Sequence, residues 1–141
     1  MLYYRIFKIL NTERMIDLIE YMESLYVPVA NAEVAGKWYA KHFGLKPDKE
    51  GSFSTLRMPR GQSIIFVETN EKQTLNFINT EGYEMFAVTF KVDDAQALHS
   101  KLKGQGLEVG ECNNDGNCGY NFKIYDLDGN RIHLWGGFPQ V

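Results

Sequence analysis

The sequence predicts an α+β fold in which one unit, a strand, a helix, a short strand and a hairpin, is used twice as a tandem βαβββ arrangement. Two observations predict it. The first is residues 120–137, YNFKIYDLDGNRIHLWGG. Phe122 and Ile124 alternate with Asn121, Lys123 and Tyr125, a tight Asp-Gly-Asn turn follows, and Ile132 and Leu134 alternate with Arg131, His133 and Trp135. A period of two marks a strand with two unlike faces. One face of this hairpin is apolar and needs a helix against it, while the other is polar and aromatic and free to line a pocket. The second observation is repetition: Val29 corresponds to Val92, Gly44-Leu45 to Gly106-Leu107 and Gly61 to Gly129, at offsets of 63, 62 and 68 residues. A fixed order of elements recurring at a similar offset is the mark of a duplicated unit.

Taken in order, residues 2–22 place Ile6, Phe7, Leu10, Ile16, Leu18 and Ile19 among charges in a pattern compatible with helix. Residues 1–22 are therefore read as an N-terminal helical extension, with Met15 as an alternative start. Leu25, Val27 and Val29 alternate into a first strand, and Pro28 puts its end near an edge. Asn31 suits a helix N-cap, Val34, Trp38, Tyr39 and Phe43 form a stripe at helical spacing over residues 32–43, and Gly44 is a natural stop. His42 reads as an exposed residue on the last turn, where positive charge suits the helix dipole. Strands at 52–58 and 63–69 flank a Pro-Arg-Gly-Gln turn, and the polar stretch 70–84 reads as a linker between module one, 23–69, and module two, 85–137. In module two Val88, Phe90 and Val92 alternate, Asp93 or Asp94 caps a helix whose stripe is Ala97, Leu98 and Leu102, and His99 reads as a helix-surface residue.

A chain of 141 residues is about one domain, and residues 23–141 are expected to form it. A formal charge of −3 and the lack of any dense Lys/Arg run argue against nucleic acid or an anionic membrane as partner. No stretch approaches the roughly 20 apolar residues of a membrane span, and the start of the chain lacks a signal-peptide cleavage pattern, so the cytoplasm is the expected compartment. Cys112 and Cys118 lie six apart in an Asn/Gly-rich run that matches neither zinc nor redox spacing. They read as free thiols, with a loop-closing disulfide as the alternative.

Three stretches together give a family resemblance covering roughly residues 24–137. WYAKHFGL (38–45), FKVDDAQAL (90–98) and YDLDGNRIHLWGG (125–137) occur in order on the duplicated frame, and the chain resembles the vicinal oxygen chelate superfamily, the glyoxalase / bleomycin-resistance / dioxygenase family. The resemblance implies two modules whose curved, mixed sheets enclose a cup, helices on the outer face, and a homodimer. For metal-dependent members it implies ligands at Ser24, Ile65, Ala87 and His133, of which only His133 is a good ligand. Glu23 and Glu68 stand beside two of these positions, but a one-residue slip would turn each strand's apolar set outward, so both carboxylates belong to the helix side. No metal or other cofactor is therefore expected, and a divalent ion is the alternative.

Strand parity then gives the cup lining. Arg57, Lys91, Lys123, Arg131 and His133 make it more basic than the chain as a whole, and no carboxylate falls on it. Tyr26, Phe53, Arg57, Lys123, Arg131, His133 and Trp135 are the expected ligand-binding residues, the arginines for bidentate contact and the rings for stacking. His133 is also the candidate general base. The leading expectation is a small, anionic or planar ligand bound without a chelated metal, as the resemblance to bleomycin-resistance proteins implies. The alternatives are a metal-dependent lyase, isomerase or dioxygenase, and a regulatory or structural dimer whose cup is filled rather than open.

Overall fold

The computed structural model describes residues 18–140. Most of the expected N-terminal helix lies outside those residues, and 18–23 carry no regular secondary structure. Module one runs β1 (Ser24–Val29), α1 (Ala32–Phe43), β2 (Lys46–Lys49), β3 (Ser52–Arg57) and β4 (Ser63–Glu68). Its sheet has the order β1-β4-β3-β2, with β1 parallel to β4 and the other pairs antiparallel. The linker carries a small hairpin of its own, β5 (Phe77–Ile78) and β6 (Glu84–Met85). Module two follows with β7 (Thr89–Lys91), α2 (Ala95–Gly104), β8 (Asn121–Tyr125) and β9 (Arg131–Trp135), in the order β7-β9-β8 with β7 parallel to β9. Its counterpart of β2 is reduced to isolated bridges from Val109 to Ile124 and from Asn113 to Asn121. The duplicated α+β frame is the one the repeat predicts.

Alternation places the core as expected. Val27, Val29, Leu56, Ile64 and Phe66 from module one and Phe122, Ile124, Ile132 and Leu134 from module two are buried together against the helices. The ends of α1 follow the sequence signals: Asn31 Oδ1 accepts from Val34 N, and Gly44 closes the helix at φ 69°, a left-handed conformation that glycine adopts without Cβ strain. Glu68 reaches the same N-terminus, accepting from Ala32 N at 3.0 Å, so its carboxylate lies on the helix side as parity requires. Asp94, rather than Asp93, caps α2 by accepting from Ala97 N.

The helix stripes hold in part: Trp38, Tyr39 and Phe43 in α1 and Leu98 and Leu102 in α2 pack in or on the core, while Val34 and Ala97 do not. In α1 the buried residues are Ala35, Gly36, Tyr39 and His42, while Val34 is exposed. The cause is Gly36: a Cβ there would lie 1.7 Å from Phe53 O, so the helix rests almost on the β3 backbone, and its small residues rather than Val34 make the contact. His42, expected in water, is only 5% exposed. Its Nδ1 pairs with Gln105 Oε1 at 2.9 Å and its ring meets Trp38 edge-on, so this histidine joins α1 to the end of α2. In α2 Ala95 and Leu102 are buried and Ala97 is exposed. His99 is half-buried, bonding Gly110 O and lying against Phe122.

The turn Asp126-Leu127-Asp128-Gly129-Asn130 knots the two modules. The buried Asp126 carboxylate accepts from Tyr39 OH at 2.6 Å, from Asp128 N and Asn130 N, and from Asn130 Nδ2. Asn130 is fully buried; it also donates to Pro28 O at 3.1 Å and accepts from Leu75 N at 2.9 Å. Asp128 accepts from Ala30 N. Buried polar groups are tolerable only when satisfied, and here that requirement fixes β1, α1, the linker and the β8–β9 turn at one point. Burial, then the Asp126 charge, pushes the Tyr39 hydroxyl well above its ordinary pKa, so it stays protonated and donating.

Candidate functional site

The polar face of β8 and β9 holds Lys123, Arg131, His133 and Trp135, four of the seven expected ligand-binding residues, and the first three stand close together. His133 is central. Its Nδ1 meets Thr89 Oγ1 at 2.9 Å and its Nε2 meets Asn121 Oδ1 at 3.0 Å. The Asn121 amide nitrogen faces the carbonyls of Asn113 and Gly119, which leaves Oδ1 toward the ring. Nε2 therefore carries the proton and donates, and Nδ1 accepts from the Thr89 hydroxyl. Burial, then the neighbouring Lys123 ammonium, holds His133 below its ordinary pKa of 6.5, with Asp115 acting the other way. The imidazole is neutral at pH 7.

The linker hairpin, whose short polar sequence gave no strand signal, lies over this face. Phe86 stacks on His133 with ring centroids 4.7 Å apart and planes 25° from parallel, and Lys123 Nζ stands 5.7 Å from the same ring. Arg131 packs under Tyr83 at 4.9 Å and beside Tyr125 at 5.8 Å. Its Nη1 donates to Glu84 O, while its Nε is buried without an acceptor. The Glu84 carboxylate accepts from Tyr125 OH and from Asn76 Nδ2, and the bond to Glu84 raises the Tyr125 pKa. The lining without carboxylates expected from strand parity is thus corrected by Glu84, which arrives from the linker.

The remaining expected residues are dispersed. Trp135 lies at the far end of β9, donating to Cys118 O and meeting Phe138 edge-on. Tyr26 is 61% exposed on module one, on the face opposite the buried Val27 and Val29. Arg57 is committed to a hairpin staple, with Nε and Nη2 on Asp48 at 3.0 and 2.5 Å and Nη1 on Gly61 O. Phe53 does not face the cup. The β2–β3 register shifts between Pro47 and Lys49, and this irregularity turns Phe53 toward α1, where it packs on the core beneath Lys37. Simple alternation fails across such a bulge.

The positions that the resemblance assigns to a metal are Ser24, Ile65, Ala87 and His133, and the one imidazole among them has both nitrogens engaged. Among the described residues no three His, Cys, Asp or Glu side chains stand together as a metal site. These residues do not fit a chelated metal, which takes three or four protein ligands. Cys112 and Cys118 are both free thiols. A groove of about 510 Å³ runs along the seam between β1 and β7, lined by Met22, Ser24, Leu25, Met58, Thr89 and Lys91 among others. It reaches Thr89, the residue that holds His133.

Paired βαβββ modules with a polar, aromatic sheet face define one structural class. The Glyoxalase/Bleomycin resistance protein/Dioxygenase superfamily profile matches residues 18–134, and the chain belongs to that superfamily. Several solved structures share the fold. A possible glyoxalase from Bacillus cereus is 20% identical with a TM-score of 0.63, over 83% of this chain and 99% of that one. TnmS3, an antibiotic binding protein from Streptomyces sp. CB03234, is 21% identical with a TM-score of 0.60, over 84% and 96%. A lactoylglutathione lyase from Agrobacterium tumefaciens is 16% identical with a TM-score of 0.61, over 84% and 95%. No curated protein matches the sequence. Among the described residues no helix is long and apolar enough to cross a membrane.

Proposed function

We propose that this chain binds a small molecule of planar, anionic character on the β8–β9 face, without a chelated metal. The observation that carries the reading is the grouping of Lys123, Arg131 and a neutral, fully hydrogen-bonded His133 beneath aromatic rings. Cations on a partly desolvated face attract an anion, and the stacked rings favour a flat partner. His133 serves as a platform: with Nε2 donating to Asn121 and Nδ1 accepting from Thr89, it has no nitrogen left for a metal. The antibiotic-binding relative supports a binding role for this fold.

Elemental analysis of protein purified without affinity metal, followed by calorimetric titration with aromatic carboxylates, tests this. The expected result is a metal content far below stoichiometric together with saturable binding. One equivalent of a divalent ion per chain, lost on His133→Ala, would overturn the metal-free reading and favour a metal-dependent lyase, isomerase or dioxygenase. We further propose a homodimer, which sedimentation equilibrium checks directly.

A further inference from the structure

The chain fills its own site. Phe86 lies flat on His133, Tyr83 covers Arg131, and the Glu84 carboxylate is held by Tyr125. A flat ring and a carboxylate are what a basic, stacking surface selects, and here residues 77–86 supply both. We propose that residues 77–86 are a displaceable plug, and that the ligand is an aromatic carboxylate that takes the place of Phe86 on His133 and supplies the acceptor missing at Arg131 Nε. This rests on the binding function proposed above and names its ligand class and its control.

Three features carry the inference. Arg131 Nε is buried with no acceptor, and a desolvated guanidinium N–H without a partner is costly. Approached along its edge, a guanidinium offers Nε and a neighbouring nitrogen to a carboxylate in a bidentate pair, so a carboxylate there satisfies what the plug leaves open. The plug itself is built to move. Its strands are two residues each, it forms a sheet separate from both larger ones, and Phe77 and Ile78 point into solvent. Two-stranded hairpins are at best marginal alone, and elements with little buried area open first. Finally, the seam groove is lined by Val88 and Thr89, and Thr89 bonds His133, so lifting Phe86 uncovers the His133 surface next to that groove.

The test uses 2-naphthoate as probe, with calorimetric titration of wild type, Phe86→Ala and Tyr83→Ser, and amide hydrogen exchange of residues 77–86 in wild type. The plug predicts at least tenfold tighter binding by Phe86→Ala and several-fold tighter binding by Tyr83→Ser, whose exposed position at the hairpin tip protects the fold. It also predicts faster exchange in the hairpin when wild type is saturated. Equal or weaker binding by the folded variants, or hairpin exchange unchanged or slowed by probe, overturns the plug while leaving the binding function in place. No binding to any of the three folded proteins overturns both.

Discussion

Asn130→Ala tests the knot between the modules. Asn130 is fully buried and makes three side-chain hydrogen bonds, to Asp126 Oδ2, Pro28 O and Leu75 N. Truncation removes one charge-assisted bond and two neutral ones, and leaves the part-buried Pro28 carbonyl and Leu75 N–H without these partners. At about 1 kcal/mol for each neutral bond and about 1.5–3 kcal/mol for the charged one, the loss is on the order of 3–5 kcal/mol. That is a large share of the roughly 5–15 kcal/mol that holds a domain together. Urea unfolding followed by tryptophan fluorescence reads it well, because Trp38 lies on α1 in module one and Trp135 on β9 in module two. Single-tryptophan variants should give coincident transitions, both moved to lower urea by Asn130→Ala. A loss below about 1 kcal/mol would mean that relaxation or water replaces these bonds, and non-coincident transitions in the parent would mean that the turn does not couple the modules.

Three further outcomes follow from the same structure. Gly36→Ala should destabilise strongly, since the new Cβ would stand 1.7 Å from Phe53 O; helix propensity alone predicts a gain of up to about 1 kcal/mol, so the sign of the change in thermal midpoint decides between them. Tyr39→Phe should cost about 1.5–3 kcal/mol by removing the donor to Asp126 Oδ2, read as a shift in denaturation midpoint at unchanged slope. The pH dependence of stability should carry a contribution from His133, which faces Thr89, Asn121, Phe86, Lys123 and Asp115. Its folded pKa lies below the 6.5 of the unfolded chain, so the unfolded state binds more protons between the two values. Stability from this group is therefore complete above about 6.5 and falls as pH is lowered towards the folded value. Subtracting the profile of His133→Gln from that of wild type should show this fall, and a difference profile flat between pH 7 and 5 would refute it.

How much of this was legible in the sequence depends on whether a side chain signals its own environment. Phe122, Ile124, Ile132 and Leu134 did, because strand alternation is set by the pleat alone; with the glycine-marked repeats they were enough for the frame. In α1 Trp38, Tyr39 and Phe43 were legible, but Val34 was misassigned and Ala35 and Gly36 were missed, because they make the closest contact through their smallness, which a hydrophobic periodicity cannot register. His42 looked solvated because its partner, Gln105, lies 63 residues away. Phe53 was assigned to the wrong face because the irregular β2–β3 register breaks the period of two. Lys123, Arg131, His133 and Trp135 do share one strand face, but the rings and the carboxylate above them come from Tyr83, Glu84 and Phe86, in or beside a linker with strands too short to show any period. The Asp-Gly-Asn turn was visible as a turn, while its bonds to Tyr39, Pro28 and Leu75 depend on tertiary placement.

The knot also breaks the equivalence of the two halves. The matching turn of module one, Pro59-Arg60-Gly61-Gln62, has no Asp or Asn with which to return the favour. Module one therefore depends on its sibling for the partners of Tyr39 OH, Pro28 O and Ala30 N, and module two takes on a duty that its own sheet does not need. A duplicated unit in which one copy supplies hydrogen-bond partners to the other is no longer made of two interchangeable halves. The modules share one order of elements, and the bonds of the Asp126–Asn130 turn divide the labour between them.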